Sequence, residues 1–375
     1  MLKKYSVFGK LSGRRLILSF VPLVIFLILA SGALWQQEKN TQQEKNTQQE
    51  KNGSKQPGSN LKKTEKVSEV KDDTAAAEEN SAPDTVKVGA YVFSVYDLDF
   101  PANKVNVDLY LWYNAKKDSL GLLENLEVIN SSEFSKSGET DEKRGNISYQ
   151  TVRLNATIKQ EWQVTDFPFD EQRIEIMIED FDKDNSKLVF AADTIASKID
   201  KKVHVDGWKI KDFGIKTDDH VYETNYGDPD IPLNEFSAYS RVVVYFTIER
   251  EGKGLFFKLF VGLFISVLIS LLTFFINPLD LDPRFGLSVG AIFAAIASQY
   301  VITSTLPQNE SLTLVDILHD ISFIYIFLCI LISTISLHYM KLGKEVLSQK
   351  LDRYSFIAFA LSYIILIIYF VGKAL

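Results

Sequence analysis

Four long apolar blocks in the carboxyl-terminal third constrain this 375-residue chain more than any other feature. They cover residues 255–276, 285–306, 317–339 and 354–372. At about 1.5 Å of rise per residue, an α-helix over each block is long enough to cross a hydrocarbon core of about 30 Å. A fifth block of similar composition covers residues 16–35. The sequence therefore predicts a membrane protein with four or five spans and excludes a purely soluble one.

The amino-terminal block has two interpretations. Basic residues precede it and small residues end it, which fits either a signal peptide cleaved after Ala33 or an amino-terminal transmembrane anchor over 1–35. Residues 36–83 begin with repeats of QQEKNT and stay polar. Because so polar a segment cannot offset its chain entropy by burial, we predict a disordered repeat linker there.

Basic residues predict the orientation in the membrane. They cluster before the first block and between the last two blocks, and such segments are usually cytoplasmic. The residues concerned are Lys3, Lys4, Lys10, Arg14, Arg15, Lys341, Lys344, Lys350 and Arg353. Alternate threading then places residues 84–250 outside the cell in a multi-pass protein of the plasma membrane.

Residues 84–250 have the alternation of β-strands. It appears in VKVGAYVFSVYDLDF, KVNVDLYLWY, SYQTVRLNATI, RIEIMIEDF and SRVVVYFTIER, with turn-rich stretches such as FPAN, SKSGETDEKRG and YGDPDIP between them. We predict an all-β, immunoglobulin-like extracellular sandwich, followed over 251–375 by an all-α four-helix transmembrane bundle.

Several classes of function find no support in the composition and motifs. A net charge of −7 argues against nucleic-acid binding, and Cys329 as the single cysteine excludes an intrachain disulfide. No catalytic or phosphate-loop motif occurs, so we expect neither an enzyme nor a cofactor. Asp180, Asp182 and Asp184 alternate as in a calcium loop, although Ala191 stands where such a loop needs a glutamate, and they are a candidate metal site.

Three motifs resemble one known family. They are DFPFDEQ at 166–172, DPRFGL at 282–287 and STLPQNESLTLVD at 304–316. From about residue 85 to the end, the chain resembles the pentameric ligand-gated ion channels, the superfamily of the nicotinic and glycine receptors. Gln160 and Ile174 stand where animal members carry the two cysteines of a disulfide. This disulfide is therefore missing here, as is usual in the bacterial members. The resemblance implies a location in the bacterial inner membrane. It also implies three kinds of partner: four further identical subunits, which complete a homopentamer, the lipid bilayer, and a small-molecule or ion agonist.

One stripe of the second bundle helix is mostly small or polar at spacings of three and four residues. It consists of Asp282, Gly286, Gly290, Phe293, Ala297, Tyr300 and Ser304. The resemblance implies that this stripe lines a pore, with Phe293 as the gate, Tyr300 as a second constriction and an Asp282 ring that favours cations. The larger Leu287, Val289, Ile292 and Ile296 are expected to pack against the outer helices. The alternative is a glycine-rich helix packed tightly inside a monomeric bundle.

The resemblance also implies an aromatic agonist box and a coupling region. Candidate ligand-binding residues are Tyr110, Trp112, Phe181, Tyr222, Tyr226, Phe236 and Tyr239, whereas Trp208 is assigned to the core. Candidate coupling residues are Asp99, Phe100, Phe167, Pro168, Phe169, Asp170, Arg250 and Pro307. We expect an ion pair among Asp99, Asp170 and Arg250. Because Phe293 and Tyr300 together could seal the axis, a non-conducting, membrane-anchored ligand-binding or sensor protein stays open as the alternative function.

Overall fold

A computed structural model describes residues 82–117, 120–227, 232, 236–308 and 312–375. The predicted signal peptide or anchor, and all but the last two residues of the repeat linker, lie outside the described residues. Within them the chain forms ten β-strands and then four long helices.

Ten strands form two sheets. They are β1 (Asp84–Asp99), β2 (Lys104–Ala115), β3 (Leu126–Val128), β4 (Ser131–Arg144), β5 (Ile147–Lys159), β6 (Glu171–Asp180), β7 (Leu188–Ala192), β8 (Lys198–Ile199), β9 (Trp208–Tyr222) and β10 (Ser237–Arg250). The first sheet has the order β4-β5-β2-β1-β7, with β8 beside β1, and the second has the order β3-β6-β10-β9. β7 and β8 run parallel to β1, and the other pairs are antiparallel.

Alternate side chains of the central strands form the core of the sandwich. Val105 and Val107 on β2 are fully buried, as are Ile174, Ile176 and Ile178 on β6. Because side chains point to opposite faces at successive positions, this pattern gives each sheet one apolar face. The predicted β-sandwich followed by a four-helix bundle is therefore confirmed.

Five strands, β3, β4, β7, β8 and β9, were not predicted, and β4 and β9 are the longest of them. Residues 135–145 were expected to be a turn, but nearly all of them belong to β4, which pairs with β5 from Ser131 opposite Ile158 to Arg144 opposite Ile147. β9 at the edge of the second sheet was missed as well. β4 is almost entirely exposed, and β9 has only two buried residues, Trp208 and Ile215, so neither strand has a clear buried face in its sequence.

Four helices follow the sandwich: α1 (Gly252–Leu272), α2 (Leu281–Thr303), α3 (Leu314–Lys341) and α4 (Glu345–Ala374). All four are long and apolar enough to span a membrane, which makes the chain a multi-pass membrane protein. α3 is the most buried of the four and lies at the centre of the bundle, whereas α2 and α4 are the most exposed. A capping box in which Thr313 and Asp316 bond each other's backbone N–H groups starts α3.

The sandwich sits directly on one end of the bundle, here called the junction end. The Leu314 N–H donates to the Thr165 carbonyl at 2.8 Å. A Cβ atom on Gly252 would lie 1.9 Å from the Pro168 carbonyl oxygen, so only glycine allows this approach. α1 and α3 begin at the junction end, and α2 and α4 begin at the opposite, distal end.

Candidate functional site

The predicted pore stripe lies on the exposed face of α2. Every member is exposed, and the Phe293 and Tyr300 side chains are 65% and 74% accessible. The buried seam of the same helix consists of Arg284, Ser288, Ala291, Ala295 and Ile302. Most stripe residues follow a seam residue by two positions, which is a rotation of about 200°. The stripe and the seam therefore occupy opposite faces.

The larger residues of α2 do not all pack as expected. Ile292 is half-buried against the core, but Leu287, Val289 and Ile296 are exposed. The expectation that these three side chains pack against the outer helices is therefore wrong for the helices of the same chain. The seam uses small side chains instead, because alanine and serine let neighbouring helix backbones approach closely in lipid.

The glycines of the stripe do not serve packing within the chain. A Cβ atom added to Gly286 or Gly290 would find nothing within 4 Å. The alternative of a glycine-rich helix packed tightly inside a single-chain bundle is therefore wrong. The open space beside these glycines lies outside the subunit.

Arg284 and Asp282 are two residues apart in sequence, but their environments are opposite. Asp282 is exposed on the stripe, whereas Arg284 is fully buried and donates to Asp352 on α4 at 2.7 Å and to the Ile276 carbonyl at 2.9 Å. Asp352 was missed in the sequence. Its signal is an acidic residue in a helix that is long and apolar enough to span a membrane, a position where ionisable side chains need a partner.

Tyr222 at the end of β9, Tyr226 in the loop that follows and Tyr239 near the start of β10 form a cluster on the sandwich, here called the tyrosine cluster. The Tyr222 ring lies 6.0 Å from Tyr226 and 5.7 Å from Tyr239. The His220 ring joins them at 4.5 Å from Tyr222. The antiparallel register sets this group, because it places Tyr239 opposite His220 and Tyr222 opposite Ser237.

The tyrosine cluster lies beside buried charge. The Tyr222 hydroxyl donates to Glu179 at 2.9 Å, and Arg241 pairs with the same carboxylate. Burial and the Glu179 carboxylate raise the pKa of Tyr222 to about 12, so the ring stays neutral at pH 7. Burial, followed by the Arg241 charge, lowers the pKa of His220. Neutral ring faces beside carboxylates suit a bound cation.

The other aromatic candidates lie in two further places. Tyr110 and Trp112 are on the first sheet, where Tyr110 lies 5.0 Å from Phe93 and Trp112 covers Gly89 on the neighbouring strand. Phe181 follows β6 and Phe236 precedes β10, and both side chains are more than half exposed. The aromatic candidates named from the sequence therefore do not form one box within a single chain. Tyr110 and Trp112 lie on the first sheet, whereas the others lie on or beside the second sheet.

The three aspartates of the candidate metal site do not converge. Asp180 accepts the N–H groups of Asp182 and Lys183 at 3.0 and 2.8 Å, and Asp184 accepts the Ser186 hydroxyl at 2.5 Å. Among the residues that the structure describes, no group of three or more His, Cys, Asp or Glu side chains is arranged to hold a metal ion. These carboxylates organise the loop after β6.

Arg250, the last residue of β10, lies in a box at the junction end. Its guanidinium donates to both oxygens of Asp170, at 2.7 and 3.2 Å. The Phe100, Phe167 and Trp208 rings surround it with centroids at 4.8, 4.9 and 4.0 Å. The expected ion pair therefore forms with Asp170.

Asp99 takes no part in that pair, and its Oδ1 accepts the Ala102 N–H at 2.9 Å. Trp162 is a member of the same region that sequence reasoning missed. Its ring stacks on Phe100 at 4.2 Å and its Nε1 donates to the Asp99 carbonyl at 3.1 Å. Trp208 is buried, as predicted, and forms a wall of the box.

The remaining coupling candidates contact or adjoin the bundle. The Phe169 ring lies 5.5 Å from Phe256 on α1, and Pro168 meets Gly252. Pro307 is buried in the turn after α2. In the same turn, Thr305 lines a cavity of about 460 Å³ together with the β1–β2 turn. The sandwich thus contacts the starts of α1 and α3 and lies across this cavity from the end of α2.

No protein-family model matches the chain, and no curated protein matches it. A β-sandwich followed by four apolar helices is compatible with the architecture of the pentameric ligand-gated ion channels.

Proposed function

We propose that the chain is one subunit of a homopentameric ligand-gated ion channel. Five copies of α2 surround a central pore, and the stripe from Asp282 to Ser304 faces the axis. Agonist binding between neighbouring sandwiches opens this pore. The protein has no catalytic role in this proposal.

One observation carries the proposal. α2 exposes small and polar residues, including Gly286, Gly290 and Ala297, at the depth of a membrane span. Such a surface is a poor match for lipid tails, because the side chains that face lipid are normally large and apolar. A water-filled axis shared by several copies gives it a suitable environment, and the two exposed rings become constrictions.

The exposed apolar residues of α2 fit the same assembly. At 100° per residue, Val289 and Ile296 flank the stripe on one side, while Leu287 and Val301 flank it on the other. Each is at least 39% exposed in the single chain. In a ring of five helices these flanks contact the neighbouring copies of α2, which buries them while the stripe stays on the axis.

Cation selectivity is part of the proposal. The first turn of α2 exposes Asp282, whereas the Arg284 charge is buried against Asp352. Five carboxylates at the distal mouth then lack neighbouring free guanidinium groups. A ring of carboxylates raises the local concentration of cations.

The tyrosine cluster is the proposed agonist site. Its neutral rings lie beside Glu179 and close to the carboxylates of the loop after β6, which favours a small organic cation. Tyr110 and Trp112 on the first sheet of the neighbouring subunit complete the box. Arg250 in its aromatic box carries the signal, because it joins Asp170 of the sandwich to the start of α1. We place the sandwich outside the bacterial inner membrane.

Current across a planar bilayer that contains the purified full chain tests this function. Native mass spectrometry in detergent supplies the subunit count. We expect five copies and a cation current that an organic amine activates. Arg250→Ala should bind the amine and stay closed, whereas exposed Lys211→Ala, which removes a surface pair with Glu171, should gate normally.

The bulk of Phe293 and Tyr300 favours a second function, a membrane-anchored ligand-binding protein whose helices do not conduct. Five such rings at two levels would fill the axis. A pentamer that binds an amine but passes no current, even as Phe293→Ser, would establish that function and overturn the channel.

A further inference from the structure

A buried polar group ties the distal end of α2 to α4. Arg284 is fully buried in the first turn of α2, and Asp352 on α4 is 4% exposed. Two guanidinium nitrogens are used, one by Asp352 at 2.7 Å and one by the Ile276 carbonyl at 2.9 Å. We infer that Arg284 and Asp352 are positioning residues, and that their pair fixes the rotation of α2 about its own axis.

The need for such a device follows from the rest of the seam. Apart from Ile302 at the junction end, the rest of the seam consists of Ser288, Ala291 and Ala295, small side chains that present little shape to the neighbouring helices. Between helices in lipid, burial of apolar surface gives almost no drive, because the lipid tails are as apolar as the side chains. A helix that packs through so smooth a surface can rotate at little cost unless a specific polar contact holds it.

The pair supplies that contact, because neither charged side chain has another partner of opposite charge within reach among the described residues. A charged arginine at membrane depth needs a partner or water, and Asp352 is the carboxylate that it reaches. A rotation that brought the seam towards the pore would break this pair. The surroundings are polar as well: the hydroxyls of Ser288 and Ser355, one turn from Arg284 and Asp352 respectively, are buried without a partner in the described part of the chain.

α4 holds its own end of the pair through α3. The Ser336 and Ser348 hydroxyls lie 2.7 Å apart, and the Ser348 hydroxyl donates to the Ser336 carbonyl at 2.9 Å. Ser348 precedes Asp352 by one turn, so this contact places the carboxylate at the height of Arg284. A helix at the edge of the bundle thus determines which face α2 exposes.

The consequence for ions rests on the proposed channel function. While the pair is intact, Asp282 is exposed at the distal mouth and Arg284 is not. Without Asp352, the long arginine side chain extends towards the nearest water, which is the same mouth. Five added guanidinium groups beside five Asp282 carboxylates would lower the permeability ratio of sodium to chloride.

Two measurements on the full chain test the pair without any current. The first is the thermal unfolding midpoint of the protein in lipid nanodiscs. Asp352→Asn keeps the shape but leaves the arginine charge uncompensated, and we expect the midpoint to fall by several degrees or more. Arg353→Gln, one residue on and exposed, is the matched control and should change little. The exchanged pair Arg284→Asp with Asp352→Arg should recover most of the loss.

The second measurement reports rotation. In a Cys329→Ser background, the thiol from Ala291→Cys on the seam should resist a charged, water-soluble thiol reagent, and adding Asp352→Asn should make it react at least several-fold faster. An unchanged midpoint and unchanged labelling in Asp352→Asn would overturn the inference, as would an exchanged pair no better than the single variants. If neither the wild type nor Phe293→Ser passes current, the channel proposal fails while both measurements still judge the pair. If it conducts, Asp352→Asn should shift the reversal potential in a sodium chloride gradient towards zero.

Discussion

α2 and α4 are the two most exposed helices of the bundle, yet they expose opposite kinds of surface. Large apolar side chains make up most of the exposed face of α4, namely Val346, Ile357, Leu361, Ile364, Ile365, Ile368 and Tyr369. The exposed stripe of α2 combines glycine, alanine, serine and a carboxylate with two rings, and large apolar residues such as Leu287 and Ile296 only flank it. Both helices are long and apolar enough to cross a membrane.

This difference separates two meanings of exposure in a membrane protein. A face of large apolar residues matches lipid tails and needs no further partner. A face of small and polar residues matches water or another protein surface, so its exposure in one chain indicates a missing neighbour. Matched substitutions on the two helices test this interpretation.

The largest effect is expected from filling the space beside a glycine. Gly290→Leu should abolish the current, because five leucine side chains would project into the proposed axis. Gly372→Leu on α4 should leave the current unchanged, because the α4 face meets lipid. The two glycines are matched, since a Cβ atom added to either would find nothing within 4 Å. Single-channel recording on purified pentamers measures both variants. Equal currents from the two would contradict the assignment of the α2 face to a pore.

A smaller effect is expected from removing a ring. Phe293 and Ile365 are equally exposed, at 65%. Phe293→Ser should raise the current without agonist by at least about tenfold, because the variant removes five rings from the closed pore and burial of each stabilises the closed state by roughly 1.5–3 kcal/mol. Ile365→Ser faces lipid and should leave the resting current unchanged. A silent Phe293→Ser, measured in patch recordings, would rule out this residue as the gate.

The smallest effect is expected from the acidic residues in the first turns of the two helices. Asp282 lies in the first turn of α2 and Glu345 begins α4, and both are exposed at the distal end. Asp282→Ala should move the reversal potential in a sodium chloride gradient towards zero, because it removes the carboxylate ring from the mouth. Glu345→Ala should leave the reversal potential within error of the wild type. A shift in the second variant alone would place the mouth elsewhere.

Most of the fold could be predicted because its signals are local. The four spans follow from uninterrupted apolar runs, and β1, β2, β5, β6 and β10 follow from alternation. β4 and β9 could not be found in this way, since an exposed edge strand has no buried face to pattern it. Their pairing depends on neighbours that are distant in the chain.

The candidate site divides in the same manner. Spacing alone placed Asp282, Gly290, Phe293 and Tyr300 on one stripe, and the structure leaves that stripe exposed. The aromatic candidates were harder to group, because strand register and not spacing brings Tyr239 opposite His220. Trp162 was missed for the same reason, as it reaches Phe100 across 62 positions of the chain.

The sequence by itself determined the number of described spans, the order of sandwich and bundle, and the periodicity of the two faces of α2, because hydrophobicity and helix geometry act over a few turns. Tertiary structure alone decided which face points outward and which charges are free. Arg284 is two residues from Asp282, but it is buried because Asp352, 68 positions away, offers it a carboxylate. Arg250 pairs with Asp170, whose carbonyl also accepts the Arg250 backbone N–H at 3.1 Å, whereas Asp99 accepts the Ala102 N–H. Which partner a charged side chain binds depends on the residues that folding brings close to it, and the local spacing of the sequence does not specify those residues.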